Sequence, residues 1–415
     1  MGGREWARRV REPRWAALAA AFATLVLIQG ATYTFPVFLV PLATEFGGLR
    51  GTAAAAFSVH NLAVGLVATV VDPLMGRFGE RRVLAVGAGL VAVGFAAGGM
   101  AASPLGLVLW FGVVAGCGAG LLGSVAQTVM LSRWFPTARG TVVGLALSGM
   151  GVGMFLFAPL AALLIGRLGW RGAFATIGVG AAGLLLATGA VAPVMPLDPA
   201  HRGRSAVGPG VEPRLREILG TFRFWCFAAA FFFTPVSNFL VTTHQVAHVV
   251  EAGVDPRWAA AAFGVVGLLS AAGRAGFGAL SDRWGRVPTA LSSYASTVLG
   301  TLALLLVAPG SPAWLLYAFV LLFGLTLGAR GPIVAALAAD LYRGRNYGTV
   351  LGLITLGNRL GSALGPWLGG AIRDWTGSYR YAFATSITAL CIAALAFVGA
   401  GWAEPPARVR PIPGA

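Results

Sequence analysis

The chain has 415 residues, 57% of them hydrophobic and only 11% charged, whereas a soluble domain is about a quarter charged. So little charge cannot cover a water-exposed surface, which excludes a soluble enzyme, a disordered chain and a nucleic-acid binder; the three cysteines (Cys117, Cys226, Cys391) lie in apolar runs and exclude a disulfide scaffold. The net charge of +16 comes from thirty basic residues that are all arginine and flank apolar runs, so it reads as membrane anchoring rather than nucleic-acid binding.

About twenty apolar residues cross a bilayer. Twelve such runs are predicted, at 16–42, 52–72, 83–102, 105–131, 140–165, 172–193, 223–248, 257–281, 287–308, 313–340, 347–371 and 381–402. The first run is too long for a secretory signal, and no small-residue cleavage site follows it. It carries Gln29 and Tyr33-Thr34-Phe35-Pro36, and the second carries His60 and Asn61. GRFGERRV, with Arg77, joins the second run to the third. Gln127 lies in the fourth, Arg133-Trp134-Phe135-Pro136-Thr137-Ala138-Arg139-Gly140 leads into the fifth, and Ser148 lies within the fifth.

The stretch 194–222 is rich in Pro, Gly and charge. It reads as a linker with a short surface helix near Leu215–Leu219, between a six-span unit at 1–193 and a second at 223–415. The seventh run holds Asn238, Thr242, Thr243, His244 and His248; the two histidines lack a third metal ligand nearby, and His244 is the candidate for a proton or for the polar end of a substrate. Arg274 lies in the eighth run, Arg330 in the tenth beside Gly331-Pro332, and Asn358 and Arg359 in the eleventh.

Arginine bias orients the spans. With the N-terminus inside, the inside segments carry Arg4, Arg8, Arg9, Arg11 and Arg14, Arg77, Arg81 and Arg82, Arg133 and Arg139, five in or beside the linker, and the pairs 283/286, 343/345 and 408/410. The outside segments carry only Arg50, Arg167, Arg171, Arg257, Arg373 and Arg380. Both termini and the linker are therefore expected in the cytoplasm of a cell-membrane protein.

The two units repeat each other. GTVVGL at 140–145 answers GTVLGL at 348–353, WRGAF at 170–174 answers YRYAF at 379–383, and GRFGERRV at 76–83 answers DRWGRV at 282–287, all at an offset near 207. A duplicated six-span unit, with a site between the halves near mid-depth, is a transporter arrangement.

Arg274, Arg330 and Arg359 sit well inside their spans, and no Asp or Glu does. At about 2.5–3.5 kcal/mol each on the insertion scale, such charges must face a cavity or buried partners. Excess positive charge in a cavity suits an anion. Arg274 has small residues on its own face, Gly267, Ser270, Ala271 and Gly278, which leave room for a guanidinium fork and a carboxylate. Arg359 points away from the face made by Gly357, Gly361, Gly365 and Gly369, and Arg330 is expected to satisfy local backbone near Pro332.

Gly278-Ala279-Leu280-Ser281-Asp282-Arg283-Trp284-Gly285-Arg286 resembles the cytoplasmic loop signature of the major facilitator superfamily, with a degenerate first-half copy in which Gly76 replaces the acid. The segment from Arg133 to Gly153, Tyr33 to Pro36, Leu215 to Trp225, and Asp374 with Thr376 to Tyr379 resemble its monocarboxylate transporter and oxalate:formate antiporter branch. The resemblance covers nearly the whole chain. It implies an all-α membrane protein of twelve transmembrane helices in two pseudo-symmetric six-helix halves, with a substrate carboxylate at Arg274. Asp282, Arg283, Arg286 and Arg77 would form the charged gate between the cytoplasmic ends, and Arg359 would take the place of a second basic residue used for dicarboxylates. Three charges linked in the animal transporters to proton coupling are absent: Gln29, Val37 and Ser270 stand in their places.

Together these features lead us to expect a monomeric secondary transporter of small organic anions, such as lactate or pyruvate, with Arg274, Tyr33, His244, Asn358 and Arg359 at the substrate. A dicarboxylate or formate-type exchanger, or an exporter of a larger amphipathic anion, is the alternative. No nucleotide loop, catalytic constellation or metal set is found, so no cofactor, metal or enzyme activity is expected. Coupling would use His244, the substrate's own proton or anion exchange.

Overall fold

In the computed structural model, residues 3–135, 139–193, 218–331, 333, 337 and 347–402 are described. Most of the expected linker, Pro136 to Ala138, Asp340 and the arginines at 343, 345, 408 and 410 lie outside them. All regular structure among the described residues is helical.

The helices are α1 (Pro13–Glu45), α2 (Arg50–Ala68), α3 (Glu80–Gly99), α4 (Pro104–Trp134), α5 (139–168), α6 (170–191), α7 (Phe222–Glu251), α8 (Pro256–Trp284), α9 (Arg286–Leu305), α10 (Trp314–Leu327), α11 (Tyr347–Thr376) and α12 (Tyr379–Trp402). A short segment, Val71–Phe78, continues α2. These are the twelve expected spans; α1 and α11 run past the apolar limits, because helix ends extend into the interface.

Three helices are interrupted, two of them beside a proline that lacks a hydrogen-bond donor. α1 breaks at Thr34, between segments ending at Tyr33 and starting at Phe35, since Pro36 has no N–H to give the carbonyl one turn back. α10 ends at a turn over Gly328 and Ala329, where Pro332 would have served the carbonyl of Gly328 in the same way. α4 carries a π-helical stretch, Val108–Ala115, and a break at Gly123.

The duplication is visible in the backbone. Gly47 and Gly253 (φ 86° and 93°), Gly79 and Gly285 (87° and 90°), and Gly169 and Gly377 (68° and 72°) all adopt the left-handed region, which only glycine enters without strain. Each pair lies at the offset of the sequence repeat. The same three turns therefore recur in both halves, after α1 and α7, before α3 and α9, and before α6 and α12.

Large apolar side chains line the outer surface, among them Trp110, Leu184, Trp258 and Leu395. A soluble protein does not present such a surface, and lipid covers it. Between the halves, α5 packs on α8 and α2 on α11. At the α5–α8 crossing the backbones approach closely: a Cβ on Gly151 would run into the carbonyl of Gly267. Gly144, on the same helix, faces open space. Gly151→Leu is expected to destabilise the protein by about 1–3 kcal/mol through overpacking, seen as a lower melting temperature of the purified chain. Gly144→Leu should leave it unchanged or slightly raised, because leucine is the better helix former.

Candidate functional site

A cavity of about 90 Å³ lies between the halves at mid-depth. The first half supplies Tyr33, Met150 and Met154; the second supplies Asn238, Phe239, Thr242, Ser270, Arg274 and Leu327. The break in α1 follows Tyr33 directly, so the end of one helical segment presents this phenol to the cavity. Tyr33 stacks on Phe239 across the halves, with ring centres 6.4 Å apart.

Arg274 reaches from α8 to α5, where its Nη1 donates to the Leu147 carbonyl at 2.8 Å and lies 3.4 Å from the Met150 sulfur. No carboxylate pairs with it among the described residues. One edge of the guanidinium is thus anchored, and the remaining N–H groups are left for a ligand. Gly328 makes this possible, because a Cβ there would strike Arg274 Nε. The break in α10 and the arginine of α8 are parts of one arrangement.

Tyr33 lies within electrostatic reach of both Arg274 and Arg359. The stem of Arg359 rests on Gly65 of α2, while Gly361, Gly365 and Gly369 turn to α7, as the spacing on α11 predicts. Asn358 lines an adjoining lobe. His244 does not line either lobe. It is fully buried between α7 and α11, with its Nε2–H donated to the Pro366 carbonyl at 2.8 Å and its Nδ1 unpartnered. Arg330 reaches neighbouring helices rather than its own backbone, bonding to Ser293, Thr297 and Asn238. Sequence reasoning had no handle on Met150, Met154 or Phe239; the polar Asn238 and Thr242, one turn apart, were the available signal.

The charged groups separate into two ends of the bundle. At the end carrying the termini, Asp282 pairs with Arg286 in its own loop at 2.6 Å, and Arg77 lies over Phe78. Arg133 holds Asp72 and Glu80, each at 2.9 Å, so acids other than the missing one at Gly76 serve the first half. Arg283 makes no ion pair among the described residues. Among the described residues, the ion pair that crosses between halves lies at the distal end, opposite the termini: Arg50 to Glu251 at 3.1 Å. Beside it, the Asp374 carboxylate accepts the N–H groups of Arg50 and Gly51, both at 2.8 Å. An α11 residue therefore caps the N-terminus of α2, from the opposite half. Deeper in, the Trp367 N–H donates to the Ser58 hydroxyl at 3.0 Å.

The Major Facilitator Superfamily profile matches residues 20–329 and 277–415. Monocarboxylate transporter 11 of Homo sapiens is 31% identical over 394 residues, covering 93% of this chain and 82% of its own. Monocarboxylate transporter 13 of Bos taurus is 29% identical over 370 residues, covering 89% and 85%. Among solved structures, the nucleoside transporter NupG superposes with a TM-score of 0.73 at 12% identity, over 93% of this chain and 98% of its own. The D-xylose-proton symporter does so with a TM-score of 0.73 at 16% identity, over 94% and 98%.

Removing the Asp374 cap should open the distal end. With the native cysteines replaced, a Ser58→Cys reporter is expected to react with an impermeant maleimide about tenfold faster or more in an Asp374→Ala background. That is the population shift expected from losing two hydrogen bonds to a charged acceptor. Equal labelling rates would show that the cap does not hold the closure.

Proposed function

The chain belongs to the major facilitator superfamily, and from that premise we propose that it carries small carboxylates across the cell membrane, with Arg274 as the residue that holds the carboxylate. The family is one of secondary transporters rather than enzymes, and the protein is a multi-pass membrane protein related to monocarboxylate transporters at about 30% identity. The observation that carries the reading is Arg274 itself. It is a guanidinium anchored across the halves at mid-depth, in a cavity whose lining contains no acid. A guanidinium fork matches a carboxylate in geometry and charge, and Tyr33 adds a phenol on the opposite wall.

Residues 1–193 and 223–415 are then the two bodies that rock about this site. On the arginine bias both termini lie in the cytoplasm, so the distal closure is extracellular. Asp282, Arg283, Arg286 and Arg77 serve the opposite gate in the alternative state. Monoanions such as lactate or pyruvate are the favoured cargo. Dicarboxylate exchange is the second reading, favoured by Arg359 lying within reach of the same tyrosine.

The binding test is thermal stabilisation of the purified chain, since a ligand of the folded state raises its melting temperature. Wild-type protein should be stabilised by lactate or pyruvate. Arg274→Ala should abolish the effect, Arg274→Lys should weaken affinity about tenfold because the fork is lost, and Tyr33→Phe should weaken it several-fold. Stabilisation that survives Arg274→Ala would detach this residue from the substrate.

We assign the coupling proton to His244. Its unpartnered Nδ1 is open to a proton, and it stands between the cavity and the distal closure, facing Tyr379 of α12 and within electrostatic reach of Arg50 and Asp374. In proteoliposomes, wild-type uptake should rise as external pH falls, and His244→Gln should flatten this dependence while leaving carboxylate binding within about twofold. A pH profile unchanged by His244→Gln would move coupling to the substrate's own proton or to anion exchange.

A further inference from the structure

The cavity has a second lobe of about 190 Å³ that shares Asn238, Phe239 and Leu327 with the first. Its walls come from α7, α9, α10 and α11 alone. It contains a second buried cation without a carboxylate. Arg330 is only 5% exposed; its Nη1 donates to the Ser293 carbonyl (3.2 Å) and Thr297 hydroxyl (2.8 Å), its Nη2 to Asn238 Oδ1 (3.0 Å), and the guanidinium carbon lies 4.7 Å from the centre of the Tyr294 ring.

Those neutral partners do not exhaust the donors in the lobe. Arg330 Nε is buried with no partner. The Tyr294 and Thr234 hydroxyls share one hydrogen bond at 2.7 Å, which leaves one O–H to give. The Asn358 amide faces the lobe with no protein partner among the described residues. Against these donors stands an apolar flank of Phe231, Pro235, Phe239 and Leu327. Unspent donors on buried side chains are costly until an acceptor arrives. A three-carbon acid bound at Arg274 leaves this second lobe empty, because Arg274 lines only the first lobe and the second lies beyond the shared Asn238, Phe239 and Leu327.

We propose that this lobe is a second subsite, and that the substrate is an extended carboxylate. Its carboxylate is held by Arg274, its apolar middle lies along Phe239 and Leu327, and its far end carries a hydroxyl or carbonyl oxygen that accepts from Arg330, Asn358 and the Thr234–Tyr294 pair. This rests on the reading of Arg274 given above and adds the length and the far end of the ligand.

The test compares pyruvate, phenylpyruvate and 4-hydroxyphenylpyruvate by thermal stabilisation and by dissociation constants on the purified full chain. The wild type should bind them in rising order of affinity. Asn358→Leu and Thr234→Val should each weaken 4-hydroxyphenylpyruvate about tenfold, bring it to the level of phenylpyruvate, and leave pyruvate within about twofold. Asn358 ties no helices together, so Asn358→Leu preserves the fold; Thr234→Val also removes the α7–α9 hydrogen bond to Tyr294, and Arg330→Gln is the third, stronger variant. Arg274→Ala should lose all three acids. Equal affinity of the wild type for the three acids, or equal losses for pyruvate and the hydroxylated acid in the lobe variants, overturns the second subsite and leaves Arg274 in place. Selective losses in the lobe variants, with binding that survives Arg274→Ala, keep the subsite and overturn the Arg274 assignment. A wild type that binds none of the acids overturns both.

Discussion

A guanidinium in the middle of a membrane must find hydrogen-bond acceptors or water, and no Asp or Glu lies deep enough in the spans to supply them. That requirement organises the interior. Arg274 meets it by crossing to a backbone carbonyl of the other half, at 2.8 Å from Leu147. Arg330 meets it with a carbonyl, a hydroxyl, an amide oxygen and the face of a tyrosine. The helix breaks follow from the same need. The missing Cβ at Gly328 clears the space beside Arg274 Nε, and just past the break Arg330 reaches Ser293 of α9. The positive charge is thus solvated by dipoles rather than neutralised, and the cavity keeps its positive potential.

Local sequence and long-range contact divide the remaining work. The spans, the duplication and the three recurring glycine turns are local, and they build two similar bodies. What makes a transporter of the pair is the contact between them, which differs along the bundle. At mid-depth it is the close crossing of α5 on α8 with Arg274 threaded through it. At the distal end it is charge: Arg50 with Glu251, and Asp374 on the first turn of α2. Charge pairs at a wet rim are individually weak, so such a closure can form and release within a working cycle.

The twelve spans, the repeat and the interior placement of Arg274 were legible from the sequence, through hydropathy, a common offset and an arginine with no acid nearby in its span. The direction in which Arg359 points was legible too, from the glycine spacing beside it on α11. His244 was placed with the substrate on the strength of its polar neighbours, but the helix turns it toward Pro366, and one-turn spacing could not reveal which side of α7 faced the cavity. The loop signature at Asp282 led to an expectation of pairing across the halves. In this conformation the partner is Arg286, four residues on, an equally available choice that depends on how far apart the two ends stand. Phe239 and Met154 carry no chemical mark that separates a cavity wall from ordinary apolar packing.

The cap on α2 has a consequence for solvent. In the closed distal end the first N–H groups of α2 are satisfied by a carboxylate from the other half. Separating the halves leaves a helix terminus and an anion that only water can serve. Opening is therefore a hydration step as well as a movement: water molecules must enter as Asp374 leaves. The equilibrium between the two states is then tied to water activity, so excluded osmolytes favour the closed distal end even though they touch neither the substrate nor its cavity.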